Sequence, residues 1–316
     1  MSGRRRRKGR ERETMAWFSS SAFVFLGETS NDGKPLIASS ISDLLPSNFP
    51  YERLSASTSS TAFLRPESVL LLLFFYLVIS KPIVKIIQEV LFPYDATTTK
   101  KKNKKYPMLQ FSIAIHNLGL AVFSLLVAVK TWKIVVIDSL LQSDGNNTSR
   151  YDTYCDPKKV LWTTSGFGYW AYVFYVSKYY EFVDTWILIL KGKEPSLLQC
   201  YHHTGIVFCM WIGIVSHGTS WLVWVVLLNS VIHTIMYTYF FIKTLYPAVH
   251  IPYAKYLTTA QITQFFLGIM GSAGVLYLGD ECDNTVSRFG LLCLNIYGVG
   301  LIALFMAFAK KKYKKN

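Results

Sequence analysis

Long apolar stretches separated by short polar loops fill most of the chain after residue 67. Seven of them approach the length of about 20 residues that a helix needs to cross a bilayer. They cover roughly residues 68–88, 108–131, 165–190, 197–216, 220–244, 257–279 and 289–309. Pro82 and Pro195 fall at the ends of such stretches, where a helix tolerates proline. The pattern predicts an all-α integral membrane protein with seven transmembrane helices.

The composition supports this fold class. The 316 residues are 51% hydrophobic and 16% aromatic and carry a formal net charge of +14, a combination that a soluble domain of this size would not show. The lysine-rich run at residues 100–105 could meet phosphates. A chain that crosses a membrane many times nevertheless offers no extended basic face, so we expect no nucleic-acid binding.

The two ends of the chain differ from the middle. Residues 1–67 begin with RRRRKGRERE, are rich in Ser, Asn, Pro and Gly and hold no apolar run of spanning length. They predict a disordered extension, with an organelle transit peptide as the alternative. Residues 68–309 form the membrane domain. In the basic tail, residues 310–316, Lys312 and Lys314 resemble a dilysine signal of the endoplasmic reticulum; an ordinary positive-inside tail is the alternative.

Charges in the short loops predict the orientation. Lysines of alternate loops and of the tail fall on one side, which the positive-inside rule assigns to the cytosol. The opposite loops carry acidic residues and overlapping glycosylation sequons that begin at Asn146 and Asn147. Seven spans then place the N-terminus in the lumen and the C-terminus in the cytosol. Cys155 and Cys282 both fall in lumenal loops, where they would form a disulfide or stay as two free thiols.

Ionisable residues interrupt the third apolar stretch. Lys178, Glu181 and Asp184 are spaced near i, i+3 and i+6, which puts them on one helix face. A charged side chain in the bilayer centre costs about 2.5–3.5 kcal/mol on insertion scales, so such residues normally face the bundle interior and mark a functional path. The spacing predicts one polar, inward face.

Four motifs occur in order on successive predicted helices. They are Lys178-x-x-Glu181-x-x-Asp184-Thr185, Gln199-Cys200-Tyr201-His202-His203, Asn229-Ser230 with His233-x-x-Met236-Tyr237-x-Tyr239-Phe240, and Thr258-x-x-Gln261-x-x-Gln264. Over roughly residues 68–316 this set resembles the ELO family of very-long-chain fatty acid elongases. Gln199 stands where the family commonly has a histidine, a variant similar to algal and protist enzymes for polyunsaturated chains, and Phe240 replaces a tyrosine.

The resemblance implies an acyltransferase of the endoplasmic reticulum membrane, a 3-oxoacyl-CoA synthase. It would condense a long acyl-CoA, polyunsaturated and of about 18 or 20 carbons, with malonyl-CoA and release carbon dioxide and CoA. Six of the seven helices would form a barrel around an acyl tunnel, with no cofactor beyond the two substrates. The implied partners are acyl-CoA, malonyl-CoA, membrane lipid, the reductases and dehydratase of the elongation cycle, and a second copy in a homodimer.

Three histidines would carry the chemistry. A neutral imidazole, with a pKa near 6.5, can act as a nucleophile or base around pH 7. We expect His202 to form an acyl-imidazole and His203 and His233 to move protons and stabilise the enolate. Histidines that only cap a helix are one alternative and metal binding is another. The chain's six histidines include no i, i+4 pair and are too few for the di-iron box of membrane desaturases, so we expect no metal.

Polar neighbours on the same helices would support these histidines. Gln199 precedes His202 by three residues, and Asn229 and Tyr237 flank His233 by four, so each can fix a tautomer or ring orientation. The stripe of Thr258, Gln261 and Gln264 would hold the CoA or the thioester carbonyl, or would only join helices.

Lysines would meet the CoA phosphates or serve structure. Lys178 would pair with Glu181 or Asp184, would meet the CoA phosphates, or would do both. Four lysines at the predicted cytosolic face would bind phosphates or would only set the orientation of the chain in the membrane. They are Lys191, Lys193, Lys243 and Lys255.

A seven-helix receptor or small-solute transporter is the alternative function, because such proteins also place charges inside a bundle. It would not explain why polar residues cluster at the cytosolic ends of spans three to six beside basic loops.

Overall fold

A computed structural model describes residues 63–92, 107–136, 154–163, 165–249, 251–252 and 254–313. Within these residues the secondary structure consists of helices and turns, with no β-strand. Residues 1–62 of the predicted extension lie outside the described residues. The sequons, the lysine-rich run and Lys314 also lie outside them. The helices are α1 (Pro66–Leu91), α2 (Pro107–Trp132), α3 (Phe167–Tyr180), α4 (Phe182–Leu190), α5 (Leu197–Val215), α6 (Thr219–Leu245), α7 (Ala254–Leu278) and α8 (Thr285–Tyr313).

Six of these helices are long and apolar enough to cross a membrane, namely α1, α2 and α5 to α8. The protein is therefore a multi-pass membrane protein, as the hydropathy pattern predicted. The third predicted stretch is divided into α3 and α4, whose 14 and 9 residues are each too short to cross alone. The last helix continues to Tyr313, so the predicted basic tail begins inside it.

The division between α3 and α4 is a single tightened turn at Glu181. Its backbone angles are helical, with φ −64° and ψ −11°. The N–H of Asp184 donates to the carbonyl of Glu181, three residues back, at 3.0 Å. A three-residue turn advances side chains by a different angle from an α-helical turn. The carboxylates of Glu181 and Asp184 accordingly meet different partners.

The helices pack in a defined order. Helix α2 packs on α6, α6 on α7, α7 on α8, α8 on α5, α5 on α3, and α3 on α2. Helix α1 packs against α4 and α5 and exposes apolar side chains such as Leu70, Phe74 and Val90. Such an apolar face suits contact with hydrocarbon.

Two glycines allow α5 and α8 to approach closely. A Cβ atom on Gly205 would overlap the ring of Tyr297, and one on Gly300 would overlap the ring of Tyr201. Small residues serve this purpose in membrane helix pairs, because lipid provides no hydrophobic force between helices. The approach brings the Tyr297 hydroxyl to 2.8 Å from the backbone oxygen of His202.

A disulfide joins Cys155, which precedes α3, to Cys282, which lies between α7 and α8; their Cα atoms are 4.8 Å apart. A buried aspartate follows each cysteine. Asp156 accepts the N–H groups of residues 161 and 162, and burial raises the pKa of its carboxyl. Asp283 accepts the hydroxyls of Ser220 and Ser287 at 2.8 and 2.7 Å. The disulfide and the two buried aspartates together hold the loops at the end of the bundle that lies opposite Lys191.

Removal of the disulfide should lower thermal stability. The bond spans 127 residues, and cross-links that close long loops contribute typically about 2–4 kcal/mol. We expect the Cys155→Ser/Cys282→Ser variant to unfold at a lower temperature in detergent. Cys293→Ser, which changes a free and half-buried thiol, is the matched control. Equal unfolding temperatures for the double variant and the wild type would contradict this expectation.

Candidate functional site

Three histidines from two helices meet inside the bundle. His202 and His203 belong to the second turn of α5, and His233 belongs to α6. The ring centroid of His202 lies 5.3 Å from that of His203 and 6.1 Å from that of His233. His203 and His233 are buried, whereas His202 is half-buried. The sequence-predicted catalytic residues therefore form one cluster.

A largely apolar pocket begins at His202. It lies between α5, α6, α7 and α8 and holds about 550 Å³ of empty space, its open side included. Its apolar lining includes Ile206, Trp224 and Phe265. Its polar lining comes from His202, Asn229, Gln264 and Asn295. An imidazole thus stands at the polar part of a cavity whose walls suit an aliphatic chain.

Lys178 and Glu181 form a buried ion pair beside this cluster. The ammonium donates to Oε1 of Glu181 at 2.7 Å and to Oδ1 of Asn229 at 3.0 Å. It also lies 3.8 Å from the centroid of the Phe174 ring, a cation–π contact. Lys178 has 0% exposure. Pairing with Glu181 is therefore observed, whereas contact with a CoA phosphate stays a prediction.

Glu181 connects this pair to the histidines. Its Oε1 atom lies 3.4 Å from Nδ1 of His233, while Oε2 has no hydrogen-bond partner among the described residues. Asn229 accepts from Lys178, so the contact found for it is with the ion pair, and its orienting role toward His233 stays a prediction. The same Oε1 atom of Glu181 accepts from the Lys178 ammonium at 2.7 Å, so the carboxylate beside His233 already has a cationic partner.

Asp184 is held by a different pair of residues. Its Oδ2 accepts the Tyr237 hydroxyl at 2.5 Å, and its Oδ1 lies 2.8 Å from Nε2 of His116. Tyr237 therefore donates to a carboxylate, and only its ring adjoins His233, with centroids 5.4 Å apart. Sequence reasoning missed His116. Its position within the second apolar stretch was a usable signal, because polar residues at that depth are uncommon.

Gln199 contacts His203, four residues along α5, instead of the predicted His202, three residues along. Its Nε2 lies 3.2 Å from Nε2 of His203 and 3.3 Å from Oγ1 of Thr185. The Thr185 hydroxyl in turn lies 2.8 Å from that of Tyr76 in α1. Tyr76 occupies a π-helical turn, Phe75–Ile79, a feature frequent at functional sites. Tyr76 and Tyr297 were also missed, since a tyrosine in an apolar stretch resembles ordinary packing.

The predicted stripe on α7 is divided among three environments. Gln264 is buried and lines the pocket. Gln261 donates to the sulfur of Met236 at 3.4 Å. Thr258 lies 3.2 Å from both the backbone oxygen of Ala254 and the Tyr313 hydroxyl, so it joins α7 to α8. Of the three, Gln264 alone is placed to meet a ligand in the pocket.

The predicted phosphate-binding lysines lie at helix ends around α4, α6 and α7. Lys191, Lys193 and Lys255 are exposed. Lys243 instead donates to the backbone oxygens of Pro247 and Val249, each at 2.9 Å, and so stabilises the end of α6. Within the described residues no group of three or more His, Cys, Asp or Glu side chains could hold a metal ion.

Comparison with known proteins gives the family of this chain. The model of the ELO: GNS1/SUR4 family matches residues 61–316, so the chain belongs to this family. It is 31% identical over 208 residues to long chain fatty acid elongase 2 of Caenorhabditis elegans, covering 65% of this chain and 72% of that protein. It is 32% identical over 223 residues to a fatty acid elongase of Dictyostelium discoideum, covering 68% and 77%.

Breaking the buried ion pair should be more harmful than removing both its charges. Lys178→Met would leave the Glu181 carboxylate buried without its cation, which typically costs about 3–5 kcal/mol. We expect this variant to be poorly folded and Lys178→Met/Glu181→Gln to recover folded protein. Size-exclusion profiles and unfolding temperatures in detergent measure both. A double variant no better folded than the single one would contradict the pairing.

Proposed function

We propose that the protein is a fatty acid elongase that condenses a long-chain acyl-CoA with malonyl-CoA. The products are a 3-oxoacyl-CoA two carbons longer, carbon dioxide and CoA. The observation that carries this proposal is the cluster of three imidazoles, with ring centroids of His202 and His233 6.1 Å apart, at the polar part of an apolar pocket. Membership of the ELO family and the names of its relatives support it.

In the first half-reaction His202 attacks the thioester carbon. A carbon–nitrogen bond forms, the carbon–sulfur bond breaks, and CoA leaves as a thiolate that takes up a proton. The acyl-imidazole divides one hard acyl transfer into two easier steps. His202 is suited to this role because it lines the pocket, while Tyr297 holds its backbone oxygen.

In the second half-reaction malonyl-CoA loses carbon dioxide and becomes an enolate. The enolate carbon attacks the acyl-imidazole, a carbon–carbon bond forms, and His202 leaves with its electron pair. His233 and His203 stabilise the enolate oxygen and move protons. The carboxylate of Glu181 lies 3.4 Å from Nδ1 of His233, where it can orient this imidazole for proton transfer.

The proposed architecture is a barrel of six spans around the acyl tunnel. The packing order α2, α6, α7, α8, α5, α3 and back to α2 supports it. Helices α3 and α4 together form the third of seven spans, and α1 lies outside. The acyl chain extends from His202 along the pocket toward Trp224, which lies nine residues before His233 on α6, about 14 Å along the helix axis.

The remaining features of the proposal concern substrate and location. Gln199, by the resemblance noted above, favours polyunsaturated chains of about 18 or 20 carbons. Lys191, Lys193 and Lys255 are exposed and would meet the CoA phosphates. The lysines at these helix ends support a cytosolic position for this face. The protein resides in the endoplasmic reticulum with its N-terminus lumenal, works beside the reductases and dehydratase of the cycle, and forms a homodimer.

The proposal predicts new fatty acids in a host that lacks long polyunsaturated acids. Cells that express the protein and receive single acids of about 18 or 20 carbons should accumulate products two carbons longer, measured by gas chromatography. His202→Ala should abolish these products, because His202 is the one imidazole of the three that is half-buried and lines the pocket. Cys293→Ser is the matched control and should retain them.

Two results would contradict the proposal. One is the absence of elongated products with every polyunsaturated and saturated acid, from protein that is well expressed and correctly located. The other is full activity of His202→Ala, which would exclude the acyl-imidazole while leaving elongation intact.

A further inference from the structure

His116 is a buried histidine of α2 to which the proposed reaction gives no role. Its side chain is 6% exposed. Nε2 lies 2.8 Å from Oδ1 of Asp184, and Nδ1 lies 3.1 Å from the hydroxyl oxygen of Tyr180. A ring with both nitrogens engaged has a fixed orientation. His116 thus joins α2 to residues of α3 and α4.

The partners of His116 determine its hydrogen-bond roles. An ionised carboxylate only accepts, so Nε2 donates to Asp184, and in the neutral ring Nδ1 accepts from the Tyr180 hydroxyl. By contrast, Nδ1 of His203 and Nδ1 of His233 have no hydrogen-bond partner among the described residues. His116 is therefore committed to holding a carboxylate, whereas the other two rings keep a nitrogen available.

The carboxylate held by His116 also holds Tyr237. The Tyr237 hydroxyl donates to Oδ2 of Asp184 at 2.5 Å, and Tyr237 is 1% exposed. Its ring packs edge-on against His233, with centroids 5.4 Å apart and planes at 75°. The His116 ring is itself edge-on to Tyr237 at 6.5 Å. A continuous set of contacts therefore leads from α2 through α4 to the imidazole of α6.

We propose that His116 is a positioning residue for the condensation. It holds the Asp184 carboxylate so that Tyr237 keeps the His233 imidazole in its reactive orientation. The Asp184 side chain is 21% exposed, so without His116 its carboxylate is free to turn toward solvent and release the Tyr237 hydroxyl. Charge-assisted hydrogen bonds of this kind are about twice as strong as neutral ones. This inference rests on the proposed function.

Two substitutions at one position separate positioning from bulk packing. His116→Phe keeps an aromatic ring but cannot donate, and His116→Gln presents an amide N–H that can reach the same carboxylate oxygen. In purified protein we expect His116→Phe to lower kcat about tenfold or more while KM for both CoA substrates stays within about twofold, the pattern of an interaction used in the transition state. His116→Gln should recover most of kcat.

A double-variant cycle tests whether the effect passes through Asp184. His116→Phe and Tyr237→Phe remove two contacts to one carboxylate. The combined variant should lose no more kcat than the more damaging single variant, whereas independent effects would multiply. The matched control on α2 is Thr131→Val, which removes a buried hydroxyl that has no hydrogen-bond partner among the described residues. It should leave kcat unchanged.

An unchanged kcat in folded His116→Phe, equal losses for the Phe and Gln variants, or a rise confined to KM would each overturn the positioning role. If His116→Phe does not fold, Tyr180→Phe at an exposed position replaces it. Removal of that hydroxyl should lower kcat several-fold, and an unchanged kcat would overturn the role. An active wild type with unaffected variants rejects this inference alone, whereas a wild type that forms no elongated product rejects the proposed function and this role with it.

Discussion

The buried ion pair of Lys178 and Glu181 is the constraint on which the interior depends. Both charges lie in a membrane-embedded bundle, and each would be costly there without the other. Lys178 ties α3 to Asn229 of α6 at 3.0 Å. Glu181 lies 3.4 Å from His233. The pair therefore fixes the relative positions of two helices and places a carboxylate against one imidazole of the cluster.

Two further polar residues, Asp184 and Thr185 of α4, extend this arrangement to other helices. Asp184 connects His116 of α2 with Tyr237 of α6. Thr185 connects Tyr76 of α1 with Gln199 of α5. Through these two residues of α4, hydrogen bonds join α4 to α1, α2, α5 and α6. Because buried polar groups without partners are costly, these contacts help to specify one packing of otherwise apolar helices.

Much of the fold followed from the sequence because apolar length is a strong signal in membrane proteins. Six helices lie within a few residues of the predicted stretches, and the polar motifs do contain the clustered histidines. The particular contacts did not follow. Helical spacing suggested Gln199 for His202 and Asn229 for His233, but Gln199 contacts His203 and Asn229 contacts Lys178. Spacing describes one helix, whereas contacts between helices decide these partners.

The measurement that tests the central claim most directly uses purified protein and an acyl-CoA, without malonyl-CoA. The account predicts a burst of CoA release of about one equivalent per active protein, with the acyl group found on the peptide that contains His202 by mass spectrometry. His202→Ala should show neither. A wild type that is active with both substrates, yet releases no CoA without malonyl-CoA or carries the acyl group elsewhere, would contradict the acyl-imidazole mechanism.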